Sequence, residues 1–235
     1  MHWEQRSAAR TAVVWDALSP RLSDPGQRIV DVGGGTGGFA VRVAELGHTV
    51  TVIDPSPDAL AAASRRADER GVTDRLIGIQ GDLSALGDFV DPGSTDLVLC
   101  HDVLGLLSDP SAGLHTIASA LRPGGTLSLV VGQRHAAVLA AAVAGQFGRA
   151  ADVLSGEPTH PRLFDAGECA RIVEDAGFEV EAVHGVRVFS DLVPSGLVDG
   201  EAGASAALLA LERAVADRPE YLALATQLHL LAVRR

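Results

Sequence analysis

Polar and apolar positions along this chain alternate in two rhythms. Short apolar runs at 28–32, 49–53, 75–80, 95–100 and 126–131, each bounded by turn residues, read as buried strands. Segments 38–46, 57–70 and 109–121 between them read as helices. A first helix is expected over 4–22, with Trp3, Val14, Trp15 and Leu18 available for one face. Ser56-Pro57 caps the 57–70 helix and Gly71 closes it. Strands and helices in this order imply a parallel sheet covered on both faces, with right-handed crossovers. After Val131 the rhythm changes. Residues 132–164 form an insertion with an alanine-rich helix at about 135–146, a turn, and a loop holding Pro158, His160 and Pro161. A helix over 165–176, a strand from 178 to about 189, a second insertion at 190–226 with a helix around 203–217, and a strand at 227–233 complete a single domain over 1–235.

The first strand ends in an acid and runs into a glycine loop, Arg28-Ile29-Val30-Asp31-Val32-Gly33-Gly34-Gly35-Thr36-Gly37-Gly38. Glycine permits a sharp turn and leaves no Cβ between main chain and ligand, and the following helix aims its amide end at whatever the loop holds. Some adenosine-containing cofactor is expected there. Gly33, Gly35 and Gly38 also satisfy the dinucleotide spacing G-x-G-x-x-G, so a nicotinamide enzyme stays open at this point. Three further stations narrow the choice. Asp54 ends the second strand, where a carboxylate can take both ribose hydroxyls. Gly81-Asp82-Leu83 follows the third, a place for an acid to meet an adenine amino group. Leu121-Arg122-Pro123-Gly124-Gly125 precedes the fifth.

With the glycine loop, these stations resemble the class I S-adenosylmethionine-dependent methyltransferases over about residues 28–131. The resemblance implies a doubly wound, Rossmann-like α/β fold: seven strands in the order 3-2-1-4-5-7-6, the last antiparallel. A closer likeness runs through Ala9-Arg10-Thr11-Ala12-Val13-Val14-Trp15, Leu121 to Leu129, Val143-Ala144-Gly145-Gln146-Phe147, Gly185-Val186-Arg187-Val188-Phe189-Ser190-Asp191, Leu208 to Glu212, Glu220-Tyr221-Leu222 and His229. These segments resemble the bacterial tRNA 5-carboxymethoxyuridine methyltransferases, which methylate a carboxylate on a modified wobble uridine. The likeness implies that Arg10, Gly33, Gly34, Gly35, Asp54 and Pro55 contact the donor, with Asp54 on its ribose. It further places Asp82 and Leu83 at the adenine, His101 beside the methionine moiety, and Arg187 opposite the acceptor carboxylate. Two departures favour a small-molecule acceptor over tRNA: the first insertion has no lysine-rich stretch, and Gly132-Gln133 follows the fifth strand in place of a Tyr-Asn pair.

Composition excludes some partners. Net charge is −11 and every one of the 19 basic residues is arginine, with no basic run for a nucleic-acid phosphate track. No segment approaches the roughly 20 apolar residues that cross a bilayer; Ala136 to Ala144 is far too short. The N-terminus shows no export signal, so a cytoplasmic protein is expected. Cys100 and Cys169 lack metal-ligand spacing and read as buried thiols. No metal is expected, and the protein is read as a monomer or homodimer.

Particular side chains carry competing roles. Asp31 either caps the glycine turn or faces the donor, and an acid at a buried strand end is costly without a partner. His101 is a donor neighbour or a histidine satisfied by Asp102. Arg187, in an apolar strand, needs a carboxylate, either the acceptor's or the protein's own Glu212 or Asp191. Arg134 and His135 face the cleft if the fifth strand ends at Gly132. Tyr221 is a further candidate for acceptor contact, although it and His229 also suit packing. A sulfonium methyl is already activated, so alignment for in-line displacement is the main task. A carboxylate acceptor needs no base; a hydroxyl or amine would draw on His101 or His135. A nicotinamide-dependent oxidoreductase and a non-catalytic cofactor-binding module are the competing functions.

Overall fold

The computed structural model describes residues 11–200 and 203–235. A first helix, α1, covers residues 11–18 and tightens into a 3-10 turn at Ser19–Leu22, where Pro20 ends it. The part of the expected helix before residue 11 lies outside the described residues, as does Arg10. Strands β1 (Arg28–Val32), β2 (Thr49–Asp54), β3 (Leu76–Gln80), β4 (Thr95–His101) and β5 (Leu121–Gly132) alternate with helices α2 (Gly38–Glu45), α3 (Pro57–Glu69), α4 (Leu86–Phe89) and α5 (Pro110–Ala120). Then come α6 (Arg134–Val143), α7 (Phe147–Leu154), α8 (Ala166–Asp175), β6 (Phe178–Val186), α9 (Ser195–Gly200), α10 (Ala204–Val215), α11 (Pro219–Leu222) and β7 (Gln227–Arg234).

The seven strands form one sheet in the order β3-β2-β1-β4-β5-β7-β6. β1 to β5 pair in parallel, and β7 runs antiparallel to both β5 and β6. Because side chains alternate across a strand, both faces of the central strands must be apolar, and they are. Leu97 and Leu99 of β4 join Val14, Leu18, Val41, Val130 and Leu231 under α1 and α2. Val98 and Cys100 turn the other way, towards Leu114, Ile117, Phe164, Val173 and Phe178 under α5 and α8. Burial pushes the thiol pKa of Cys100 to about 12, as it does for Cys169, so both act as small apolar side chains.

Helix starts follow local chemistry. Ser56 accepts the Ala59 amide at 3.2 Å with Pro57 behind it, and Asp109 accepts the Ala112 amide at 3.0 Å before Pro110. Three expectations need correction. The segment read as a turn after residue 146 is the helix α7, whose eight residues begin without a side-chain cap. β5 starts at Leu121 rather than 126, through a register shift against β4. β6 ends at Val186, three residues early, and its cause lies in the site. No helix among the described residues is long and apolar enough to cross a membrane.

Candidate active site

The carboxyl ends of β1 to β5 and the start of β7 share one edge of the sheet, and the functional candidates gather there. β1 leads into a loop with φ of 68° at Gly33, 55° at Gly35 and 74° at Gly37. Space as well as torsion demands glycine: a Cβ at Gly33 would lie 2.3 Å from Val103 Cγ2, and one at Gly34 would lie 2.6 Å from Asp31 Oδ2. Asp54 braces this loop, since Oδ2 accepts the Gly35 amide and Oδ1 the Ser56 amide, each at 2.9 Å. Each of its oxygens keeps a further acceptor direction.

Asp31 is 3 % exposed and none of the described residues donates a hydrogen bond to its carboxylate. Desolvation first, and the nearby charge of Asp54 second, raise its pKa to about 7. A buried acid in this state calls for a cation, which a sulfonium donor with its ammonium group supplies; the residues present fit such a molecule.

Beyond β3, the Asp82 carboxylate accepts the Ser84 amide at 2.8 Å, and its bonds to Ser84 hold its pKa below the usual range. Leu83, expected at the adenine, has its side chain buried in the core against the Gly113 position, so only its main chain can border a ligand. The Phe89 ring lies over Gly81, where a Cβ would meet Cε2 at 2.6 Å, and remains 40 % exposed. Pro55 accepts from Gln80 Nε2 at 3.2 Å across the β2–β3 gap.

His101 closes β4. Ser128, not Asp102, satisfies it, through a contact of 2.8 Å to Nε2. Desolvation lowers its pKa to about 4, so the ring is neutral at pH 7. Phe39 meets the imidazole edge-on at 5.0 Å between centroids. Asp102 is left-handed (φ 60°), and Gln227 Nε2 donates to both its oxygens at 2.7 Å.

Arg187 lies past the end of β6, not within a strand as expected, and is also left-handed (φ 62°). The cause is Glu212, buried on α10, which accepts the amides of Val188, Phe189 and Ser190 at 2.7–3.0 Å and draws the chain off the sheet. Glu212 is thereby committed to the backbone. Asp191 instead pairs with Arg187 Nη2, and Gln227 Oε1 accepts from Nη1 at 3.4 Å. Arg187 Nε is buried with no hydrogen-bond partner among the described residues.

The remaining candidates do not converge on this point. Arg134 is turned to Glu168 and Asp165, lining a separate cleft of about 440 Å³ with His160 and Arg162. His135 is exposed at the start of α6, beside the capping Gln133. Tyr221 packs edge-on against Phe189 at 6.0 Å. Gln227, Asp102, Phe39 and Phe89 belong to the edge and were not singled out. A polar Gln opening the apolar strand 227–233 was the one available signal.

A sheet of this order, with acids at the ends of β1 and β2 and after β3 around a glycine loop, defines the class I S-adenosylmethionine-dependent methyltransferases. The model of a methyltransferase domain matches residues 2–183. The tRNA 5-carboxymethoxyuridine methyltransferase of Escherichia coli (strain K12) is 31% identical over 232 residues, covering 95% of this chain and 87% of that protein. The ubiquinone biosynthesis O-methyltransferase of Xanthomonas euvesicatoria pv. vesicatoria (strain 85-10) is 35% identical over 170 residues, 72% of this chain and 70% of its own. Among solved structures, magnesium protoporphyrin IX methyltransferase from Synechocystis PCC 6803 superposes with a TM-score of 0.64 at 19% identity, over 98% of this chain and 83% of that one. The chain belongs to the methyltransferase family, and it is an S-adenosylmethionine-dependent enzyme.

Proposed function

We propose that this enzyme methylates an oxygen nucleophile on a small acceptor that also carries an acidic group, received by Arg187. The observation that carries this reading is Arg187 Nε, buried and without a partner among the described residues. A buried donor left unpaired costs about 1–3 kcal/mol, and an acceptor carboxylate that draws the guanidinium into the cleft would satisfy it. Gln227 links Arg187 to Asp102, next to His101, so an anion held there stands beside the end of β4.

The donor brings a methyl group already activated on a sulfonium. This chain's residues hold it: Gly33, Gly34 and Gly35 let the loop approach, Asp31 faces its positive charge, and Asp54 takes the ribose hydroxyls on its remaining lone pairs. Asp82 and the Leu83 main chain border the adenine, and Pro55 and Phe89 flank it. Arg187 fixes the acceptor, and alignment of this kind lowers barriers by several kcal/mol, up to roughly 7–11 in the best cases. His101, neutral and beside the reacting groups, is the candidate base.

A second reading, methyl-esterification of a carboxylate on tRNA, is favoured by the 31% identity that spans 95% of the chain. Labelled donor incubated with bulk tRNA, and in parallel with a small-molecule extract, separates the two. Label in the extract supports the first reading; label in tRNA replaces it with the second. Arg187→Ala should cut turnover while donor affinity holds, and loss of thermal stability alone would reduce Arg187 to a structural role.

A further inference from the structure

Three histidines and a serine form a continuous polar line through the sheet face that carries Leu99, Val130 and Leu231 beneath α1. His101 Nε2 lies 2.8 Å from Ser128 Oγ, Ser128 Oγ lies 2.9 Å from His229 Nε2, and His229 Nδ1 lies 3.2 Å from His184 Nδ1. Register explains the alignment: His184 pairs directly with His229 across β6 and β7, Val130 pairs with both His229 and His101, and Ser128 lies two residues before Val130 on the same face. Ser128 and His229 are fully buried among aliphatic neighbours, where polar groups are tolerated only when bonded. The two ends differ from the middle. His101 is partly accessible at the ligand edge, with no described residue bonded to Nδ1. His184 is partly accessible at the far end, with the exposed Asp217 as its charged neighbour.

We infer that His101, Ser128, His229 and His184 conduct the acceptor's proton from the ligand edge to solvent, which makes the acceptor atom a hydroxyl oxygen. This rests on the oxygen-methylation reading and narrows it. In the step, the O–CH3 bond forms as the S–CH3 bond breaks with its electron pair staying on sulfur. The hydroxyl proton moves to His101 Nδ1. His101 Nε2–H passes to Ser128, Ser128 O–H to His229 Nε2, and His229 Nδ1–H to His184 Nδ1, while His184 Nε2–H goes to water. With all three rings neutral, as burial enforces, the four groups bond in only two concerted senses, outward or inward. After product leaves, water in the open cleft takes the Nδ1 proton of His101, solvent re-protonates His184, and the line resets by running inward.

The test has two arms. In histidine-labelled protein, nitrogen NMR at pH 7 should find His101 and His184 as Nε2–H tautomers and His229 as Nδ1–H, with Ser128→Ala scrambling His229. Mixed tautomers at His229 in the unmutated protein would overturn the inference. In the second arm, 4-hydroxybenzoate and 3,4-dihydroxybenzoate offer a carboxylate and a hydroxyl on one molecule. Ether formation should fall by about 100-fold in Ser128→Ala, within the range for lost general acid–base catalysis. Donor affinity should be unchanged, and Ser128→Thr should recover the rate. A wild-type rate in Ser128→Ala, or ester as the product, sinks the relay and leaves the methyltransferase reading intact; absent donor binding sinks that reading instead. Should neither probe be methylated, the NMR arm decides alone.

Discussion

Asp31 shows how one buried carboxyl couples folding, protonation and ligand. Its pKa rises on folding from 3.8 to about 7, so its contribution to stability is full below pH 4 and is lost as pH climbs to 7. The loss is on the order of 4 kcal/mol. A cationic donor prefers the ionised form, so donor affinity should rise between pH 5 and 7 and level off above. Calorimetry in buffers of different ionisation enthalpy should show proton release on binding at pH 6 and none at pH 8; Asp31→Asn should remove the dependence. In the proposed site Asp54 has two duties, bracing the glycine loop and taking the ribose hydroxyls. Asp54→Ala should weaken donor binding by about 1.5–3 kcal/mol, the scale of hydrogen bonds to a charged group, and also lower the melting temperature, because the Gly35 and Ser56 amides lose their acceptor. Donor affinity unchanged by that substitution would exclude the ribose contact. Asp31 and Asp54 stood out in the sequence because each ends a buried apolar run, where a charge is costly without a partner. Leu83 was legible only as a position: nothing in the local pattern tells that its side chain turns inward.

At the scale of elements, the parallel core was readable because strands buried on both faces appear as unbroken apolar runs. The second half was less so. α9 and α11 are too short for a helical period to declare itself, α7 begins without a side-chain cap to announce it, and β6 stops early for a tertiary reason, the capture of the 188–190 amides by Glu212. Glu212→Gln keeps the size but weakens a buried charge-assisted cluster, and should cost about 2–3 kcal/mol of stability. Because those amides also set the position of Arg187, the same variant should raise the KM for acceptor while leaving donor affinity alone. Equal effects on both ligands would contradict that division. The line from His101 to His184 escaped the sequence altogether, since its members sit on four strands and up to 128 positions apart.

For the whole molecule, charge weighs against a polyanionic acceptor. A chain with net charge −11 and no lysine repels a polyanion, and nucleic-acid affinity comes chiefly from basic contacts to phosphate. Bulk tRNA should therefore show no binding at physiological ionic strength in a fluorescence titration. Tight binding whose logarithm falls steeply with the logarithm of salt would reveal a local arginine track and revive the esterification reading. In the proposed site the division of labour is spatial: β1, β2 and β3 would serve the donor, whereas β6, β7 and the helices between them would serve the acceptor.

β7 is wedged between β5 and β6 and comes after both in the chain. Until it is made, β6 has no partner, Gln227 cannot join Arg187 to Asp102, and His229 is missing from the centre of the polar line. A nascent chain could thus assemble its nucleoside cradle well before it owns a place to put a methyl group. On the proposed reading, the competence to react arrives with β7, the last strand of the sheet in chain order.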